Sequence, residues 1–375
     1  MRDARLFAIV LLAGLAGPGC TDRHVSTLAP DDSSAEGLPD GAIADAFVDA
    51  TGGDAWEDDA DAGCYRDPYL PDHYSPPCTQ PEARPDCANG WCTIQPGCFI
   101  MGSPWCEWGR AMYSENPVQV TLTHVYRIQE RELAQQEWTS LGLTNPSGRM
   151  ADNTGDCLDP TCPVGNMTWV EALAFANLKS EKEGLDQCYE LVDCVGELGK
   201  GMLCDTVRTV GSSTYECKGY RLPTGPEWEY AARAGTKTSV YTGDPIRRPL
   251  DYTCYDDDVL NPIAWYCNNS GGLTHPGGLK QPNGWGLFDM IGNASECVAG
   301  TTIGGYGDGP YTDYGATMEV TQIRSVPRNP SQLVMTRGGL FNVWPNTLRA
   351  AAIGGDPPDA QGPGLGLRLV QTVFQ

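Results

Sequence analysis

Apolar and polar positions alternate with a clear period in only a few parts of this chain. The stretch VQVTLTHVYRI, residues Val118–Ile128, alternates for much of its length and predicts a β-strand. The stretch ELAQQEWTSLG, which ends at Gly142, predicts a short helix. Beyond Gly235 the chain is rich in Gly, Asn, Asp and Trp and has little helical periodicity. Short strands and long loops are therefore expected there.

Two further helices carry complete start and stop signals. Thr168 opens a T-x-x-E capping box in MTWVEALAFANLKSEKEG, and Gly184 is the expected stop. Thr224 opens a second box in RLPTGPEWEYAARAG, with Pro226 in the first turn and Gly235 at the end. Separate helices and strands joined by much irregular chain predict an α+β domain with high loop content.

The first 63 residues differ in composition from the rest. The apolar run LFAIVLLAGLAG has the length of a signal-peptide core and is too short to span a bilayer. It leads to Cys20, which is placed like the acylated cysteine of bacterial lipoproteins, although Gly17 and Pro18 fit that signal poorly; plain secretion is the alternative. Residues 21–63 contain 12 acidic residues against the single Arg23, which predicts a disordered linker.

The sequence therefore predicts four parts. Residues 1–20 are a signal peptide with a lipidated cysteine, residues 21–63 an acidic linker, residues 64–94 a disulfide-rich segment, and residues 95–375 the main domain. Such a protein would be exported, either lipid-anchored in the cell envelope or secreted. A formal charge of −23 argues against nucleic acid and anionic membrane surfaces as partners, so contact with a membrane is expected only through the lipid anchor.

Cysteine usage agrees with export. The chain has 16 cysteines and only four histidines, without the spacings typical of zinc sites, so disulfides are expected. Local spacing allows pairing among the six cysteines from Cys64 to Cys106, between Cys157 and Cys162, and between Cys254 and Cys267. Spacing also allows two bridges among Cys188, Cys194, Cys204 and Cys217. These pairings use every cysteine after Cys20 except Cys297, which is expected to be a buried, inert thiol. A reactive thiol is the alternative.

Several motifs, taken in order, resemble the formylglycine-generating enzyme (sulfatase-modifying factor) family. They are GCFIMGS (97–103), ENPVQVTL (115–122), PVGNMTWVEALAFAN (163–177), GYRLPTGPEWEYAARAG (219–235), PNGWGLFDMIGNASE (282–296), RGG (337–339) and GLR (366–368). The resemblance covers about residues 95 to 372 and implies an elaborated C-type-lectin-like α+β fold. Most motif residues fit core positions, and Arg221 and Arg233 are expected to be buried hydrogen-bond hubs.

The resemblance also implies a structural calcium ion in the segment DMIGNASE. Carried over by position, its ligands would be the side chains of Asp289 and Glu296 and the carbonyl groups of Gly292 and Ala294. Oxygen ligands of this kind suit calcium. The alternative is that both acids only cap turns through backbone N–H groups.

Catalytic members of the family carry two cysteines after RGG that bind copper(I) and oxidise a substrate cysteine to formylglycine. Soft thiolates suit copper(I). Here the corresponding stretch is LFNVWPNTLRAAA, and no cysteine follows Cys297. Copper is therefore not expected, and Ser295, Cys297 and Ile353 are further departures from the family pattern.

The sequence thus favours a binding module for a peptide or glycan. Trp344 and Trp285 are candidate stacking surfaces, with core packing as the alternative, and Asn342 and Arg349 are candidate polar contacts. The second hypothesis is a family oxidoreductase that modifies a protein or peptide through unrecognised residues around this segment.

Overall fold

The computed structural model describes residues 78–111, 114–148, 155–247, 253–301, 309–324 and 333–374. The predicted signal peptide, Cys20, the acidic linker and Cys64 lie outside the described residues. Each helix in the described ranges is too short or too polar to cross a bilayer.

The regular elements are short. The strands, in chain order, are β1 (Cys87–Ala88), β2 (Trp91–Ile94), β3 (Gly97–Met101), β4 (Val118–Leu122), β5 (Tyr126–Gln129), β6 (Tyr189–Val192), β7 (Thr206–Thr209), β8 (Ser295–Thr301), β9 (Tyr311–Thr312), β10 (Glu319–Val320), β11 (Val334–Arg337), β12 (Gly354–Asp356), β13 (Leu365–Leu367) and β14 (Val370–Thr372). The α-helices are α1 (Gln135–Ser140), α2 (Trp169–Lys182) and α3 (Gly225–Arg233), and 3-10 helices lie at Thr214–Glu216 and Pro345–Thr347.

The strands form small sheets in which chain neighbours are often not sheet neighbours. Their orders are β1-β2-β5-β14, β3-β4-β9, β10-β7-β6 and β12-β11-β8-β13. β4 pairs with β9, and β8 with β13, in parallel; the other pairs are antiparallel. β1 and β2 belong to the segment predicted to lead into the domain, and β2 pairs with β5 in the first sheet.

The two capped helices are confirmed. The Thr168 hydroxyl accepts the N–H of Glu171 at the start of α2, and the Thr224 hydroxyl accepts the N–H of Glu227 at the start of α3. Helix α3 ends at Ala234, which has a left-handed backbone with φ of 46°. The predicted stop, Gly235, also has a left-handed backbone with φ of +87°, so the left-handed turn begins one residue before the predicted glycine.

The single strand predicted for residues 118–128 is wrong, because the structure divides it into two strands in different sheets. β4 pairs with β3, whereas β5 pairs with β2 and β14. Between them, the N–H and hydroxyl of Thr123 both donate to the carboxylate of Asp313, at 2.8 and 2.6 Å. Thr123 thus bonds the residue that follows β9, at the point where the chain leaves one sheet and enters the next. Alternation alone does not detect such a change of sheet.

Two large apolar clusters form the core. One surrounds α2 and includes the stacked rings of Trp138 and Phe175, with centroids 4.8 Å apart. The other surrounds α3 and includes Trp228, Tyr230 and Trp285. The two helices thus anchor separate halves of the core, and the sheets and loops are arranged around them.

Disulfides fix the loops between these elements. The described pairs are Cys78–Cys98, Cys87–Cys92, Cys157–Cys162, Cys188–Cys217, Cys194–Cys204 and Cys254–Cys267. Cys106 is disulfide-bonded as well. The predicted disulfide framework is therefore confirmed, and within the described ranges Cys297 is left as a free, buried thiol.

Candidate functional site

A buried arginine fixes the thiol-free segment that follows RGG. The guanidinium of Arg349 bonds both oxygens of Glu115, at 2.7 and 2.8 Å, and one oxygen of Glu107 at 2.8 Å. It also donates to the carbonyl of Gly109. All three charged side chains are at most 5% exposed. Arg349 therefore ties the end of this segment to the loop at residues 104–110.

The segment itself is held largely by its own backbone. The N–H of Phe341 donates to the carbonyl of Asn293, and the carbonyl of Val343 accepts the N–H of Cys267. Pro345–Thr347 forms a 3-10 turn, with Trp344 as its N-cap residue. Phe341 is buried, Asn342 is exposed and Trp344 is half-buried. The side chains of residues 342 and 344 therefore lie at the surface of a well-bonded loop.

Two disulfide-bonded loops flank this segment. The loop at residues 104–110 contains disulfide-bonded Cys106 and packs so closely against the carbonyl of Asn346 that Gly109, with φ of +84°, has no room for a side chain. The other loop, residues 253–268, is closed by Cys254–Cys267. The rings of Trp108 and Tyr255 join the two loops, with centroids 6.2 Å apart. Three loops thus converge around residues 342–346.

The four predicted contact residues have different environments. Asn342 and Trp344 lie at the surface of the converging loops, whereas Arg349 is buried among its carboxylate partners. Trp285 is 2% exposed and packs in the α3 core, with its ring 6.4 Å from that of Tyr230. The structure therefore brings the first two residues together at a surface and uses Arg349 and Trp285 internally.

Trp108 and Tyr255 were not predicted from the sequence as site residues, because their contact joins parts of the chain almost 150 positions apart. The available signals were indirect: two tryptophans flank Cys106 in PWCEWGR, and Tyr255 directly follows Cys254. A cysteine beside an aromatic residue does not indicate which loops will meet. The position of these side chains depends on tertiary structure.

A second cluster surrounds the segment DMIGNASE. Arg368 bonds both oxygens of Glu296, at 2.6 and 2.7 Å, and the indole N–H of Trp228 donates to the same carboxylate at 2.7 Å. Glu132 accepts the side-chain amide of Asn293 and the backbone N–H of Ala294. A strand, a helix, a loop and the segment near the C-terminus meet at this point.

Asp289 is the under-bonded member of this cluster. Its backbone has φ of +54°, and its Oδ2 accepts the N–H of Gly278 at 2.7 Å. Its Oδ1 is buried without a hydrogen-bond partner in the described part of the chain. A buried carboxylate oxygen without a donor is energetically costly. This atom is therefore available to a cation.

Burial dominates the electrostatics of this cluster. Burial, followed by the charges of Asp289 and Glu296, holds the pKa of Glu132 well above its ordinary value. Burial also raises the pKa of Asp289. Arg368 is the fully buried cation among these three acids. The cluster thus has more buried negative than positive charge whenever its acids are ionised.

Cys297 lies in β8 and is fully buried. Burial raises the pKa of its thiol far above the ordinary value, so a thiolate is strongly disfavoured. Its neighbours across the sheet are Thr336 in β11 and Leu367 in β13. This environment suits an inert side chain that fills space.

The short sheets, few helices and long loops form a C-type-lectin-like α+β domain of the formylglycine-generating type. The segment after RGG departs from that type because it has no thiol. Residues 78–373 match the family described as the sulfatase-modifying factor enzyme 1-like domain. The chain belongs to this family. The predicted family membership and fold class are therefore confirmed.

Curated relatives include both enzymes and a protein named as a chaperone. The chain is 28% identical over 204 residues to the chaperone protein LppX of Paenibacillus barcinonensis, covering 50% of this chain and 65% of that protein. It is 41% identical over 86 residues to a formylglycine-generating enzyme of Mycobacterium tuberculosis, covering 21% and 26% of the two chains. The chain thus spans less than two thirds of the length of these relatives.

Solved structures show the same fold. Treponema denticola variable protein 1 superposes with a TM-score of 0.55 at 24% identity, covering 76% of this chain and 95% of that one. PvdO from Pseudomonas aeruginosa gives a TM-score of 0.50 at 20% identity, covering 79% and 100% of the two chains. These likenesses establish the architecture of the domain.

The Arg349 cluster leads to a prediction about stability. Arg349→Gln should lower the free energy of unfolding by about 3–5 kcal/mol, because it leaves two buried carboxylates without their cation. Arg208→Gln is the matched control, since Arg208 makes a similar two-bond pair with Glu190 on the exposed surface and should change stability little. Urea denaturation of both variants measures the difference. Equal, small losses would contradict the anchoring role of Arg349.

Proposed function

We propose that this chain is an exported, lipid-anchored protein whose domain binds a peptide or glycan and does not generate formylglycine. The observation that carries the proposal is the thiol-free segment after RGG: its surface offers Asn342 and Trp344 where catalytic relatives have copper-binding cysteines. The one free thiol in the described ranges, Cys297, is buried in a sheet. Neither the segment after RGG nor the buried Cys297 supplies the soft, accessible thiolate pair that copper(I) chemistry needs.

Other observations support a binding role. Arg349 and the flanking disulfides hold the three converging loops in place without any ligand, and preorganised loops lower the entropic cost of binding. One relative, LppX, is named as a chaperone, a role that rests on binding. The abundant disulfides are typical of proteins that fold in an oxidising compartment, which supports export.

We also propose that the domain holds a structural calcium ion. Asp289 offers a buried oxygen without a donor. Glu296 would be the second carboxylate, and because Arg368 and Trp228 already bond both of its oxygens, the ion would share them with these donors. The carbonyl groups of Gly292 and Ala294 are the two further ligand candidates, by their position in the segment DMIGNASE.

This donor set is all oxygen, as calcium prefers, and a divalent cation would offset the excess buried negative charge. Within the described ranges, no group of three or more His, Cys, Asp or Glu side chains is arranged to hold a metal. The proposed site therefore rests on two carboxylates combined with two backbone carbonyls.

The calcium proposal predicts that the ion stabilises the fold. Calcium in excess should raise the melting temperature of the wild-type protein by several degrees over that measured in chelator, because ligand bound only to the native state adds stability. Asp289→Gly should abolish this difference, since glycine tolerates the positive φ and removes the carboxylate. Glu197→Gln, at an exposed acid, should retain it. A wild-type melting temperature that is the same in calcium and in chelator would rule out the site.

The binding role predicts failure in an enzyme assay. The purified chain, supplied with copper(I), oxygen and a cysteine peptide of the sulfatase type, should produce no formylglycine detectable by mass spectrometry. A catalytic family member assayed in parallel is the positive control, and copper with peptide alone is the blank. Conversion above the blank would overturn the proposed function in favour of an oxidoreductase with unrecognised catalytic residues.

The anchor proposal concerns Cys20. Metabolic labelling with a fatty acid should mark the wild-type protein and place it in the membrane fraction. Cys20→Ser should lose the label and leave that fraction, because no thiol remains to be acylated. Labelling that persists in the variant would exclude Cys20 as the lipidated residue.

A further inference from the structure

The three converging loops carry four aromatic residues and an asparagine that are exposed or half-buried: Trp105, Trp108, Tyr255, Trp344 and Asn342, here together called the aromatic surface. Trp105 is 59% exposed, Asn342 is exposed, and the other three residues are half-buried. Surface hollows of about 530 and 550 Å³ lie elsewhere, against Asp193 and against α2. The aromatic surface is therefore separate from these hollows.

Covalent and ionic contacts hold this surface in shape. Cys106 and the Cys254–Cys267 pair fix its two outer loops, and Arg349 fixes the central one through its buried carboxylates. Rigid aromatic side chains lose little conformational entropy when they bind. The aromatic surface is thus preorganised in the free protein.

The charges around the surface disfavour anionic ligands. Asp256 and Asp258, both exposed, lie beside Tyr255. Of the two guanidinium groups of the converging loops, Arg349 is paired with buried carboxylates, whereas Arg110 donates to the neutral carbonyl of Ser103 and side chain of Asn116 and keeps its charge. The two exposed carboxylates exceed this one positive charge, so the surface favours a neutral ligand over a phosphorylated, sulfated or uronic one.

The backbone of the central loop is already engaged, so recognition falls to side chains. The N–H groups of Phe341, Val343 and Thr347 donate to carbonyls of the protein, and the carbonyl of Val343 accepts another N–H. An extended peptide that adds to a sheet needs unpaired backbone groups. Aromatic rings and a side-chain amide, by contrast, suit a ligand with alternating C–H faces and hydroxyl groups.

One buried donor at the loop junction also lacks a partner. The indole N–H of Trp108 is shielded from solvent and has no acceptor in the described part of the chain. Unsatisfied buried donors are uncommon in folded proteins. A ligand hydroxyl that supplied the acceptor would first require the Trp108 ring to turn its N–H towards the solvent.

We infer that the aromatic surface binds a neutral glycan chain. The C–H face of a pyranose ring stacks on an exposed indole, which has a large apolar area and a polar edge. The amide of Asn342 donates to and accepts from sugar hydroxyls. This inference rests on the proposed binding function and specifies its ligand class.

Native electrophoresis in gels containing soluble polysaccharides tests the inference, since a protein with a pI near 4.4 migrates well in such gels. The panel contains a β-glucan, a mannan and a galactan as neutral probes and alginate as an anionic probe. The full chain should be retarded by at least one neutral polysaccharide and should pass alginate unhindered. Trp344→Ala and Asn342→Ala should each weaken the retardation about tenfold or more, a loss of about 1.4 kcal/mol.

Phe374→Ala is the matched control, because Phe374 is 50% exposed and lies outside the three loops. It should bind as the wild type does. The melting temperature of each variant is measured to show that it is folded. If Trp344→Ala unfolds, Trp105→Ala, at the most exposed ring of the surface, tests the loss of retardation instead.

Several outcomes would overturn the glycan inference: no retardation by any neutral probe, retardation by alginate alone, or neutral binding that Trp344, Trp105 and Asn342 do not affect. Binding of an arrayed extended peptide through these same residues, without glycan binding, would replace the glycan with a peptide and leave the proposed binding function intact. Formylglycine production in the separate peptide assay would defeat the binding function itself.

Discussion

Buried pairing between arginine and glutamate is the interaction on which the rest of this structure depends. Within the described ranges, four clusters of this kind lie in the interior, and each involves a glutamate that is almost completely buried: Arg221–Glu227, Arg233 and Arg337 on Glu229, Arg349–Glu115, and Arg368–Glu296. Three of them link residues more than 60 positions apart in the chain. Short strands and the short helices of the described ranges cannot by themselves fix so many loops, so these paired charges, together with the disulfides, set the loop positions. A buried pair is costly to break because either partner alone is left as an uncompensated charge.

This arrangement explains how the fold can persist while the residues after RGG vary. Arg337 and Arg349 bracket the segment after RGG, and both are engaged with buried glutamates. The residues between them are held by backbone bonds, some local and some to the segments around Asn293 and Cys267. Side chains at the surface of this segment, such as Asn342 and Trp344, can therefore vary without loss of the frame. A domain that loses its copper cysteines in this way keeps a rigid surface available for another ligand.

Local sequence signals predicted the features that local physics determines. The capping hydroxyls of Thr168 and Thr224 were evident, because a cap needs only neighbouring residues. Bridges closing short loops, such as Cys157–Cys162, were evident for the same reason. The motif resemblance supplied the fold, and it led correctly to the internal role of Arg221.

The features that could not be predicted from the sequence depend on partners far away in the chain. The strand break after β4 depends on a bond from Thr123 to Asp313, which lies far along the chain. Arg349 was predicted to be a polar contact for a ligand, because its buried partners, Glu107 and Glu115, precede it by more than 230 positions. Trp285 was predicted to be either a stacking surface or a core residue, and the choice depends on packing around α3. Such positions are fixed by tertiary contacts that no local pattern encodes.

The central claim is that the family frame here supports binding without copper thiolates. The most direct test is the copper(I) stoichiometry of the native, unreduced protein, measured by competition with a chromogenic copper(I) chelator. The account predicts that the chelator retains essentially all of the copper, because the one free thiol of the described chain is buried and a thiol pair is missing after RGG. One equivalent of copper(I) held by the protein against the chelator would contradict it.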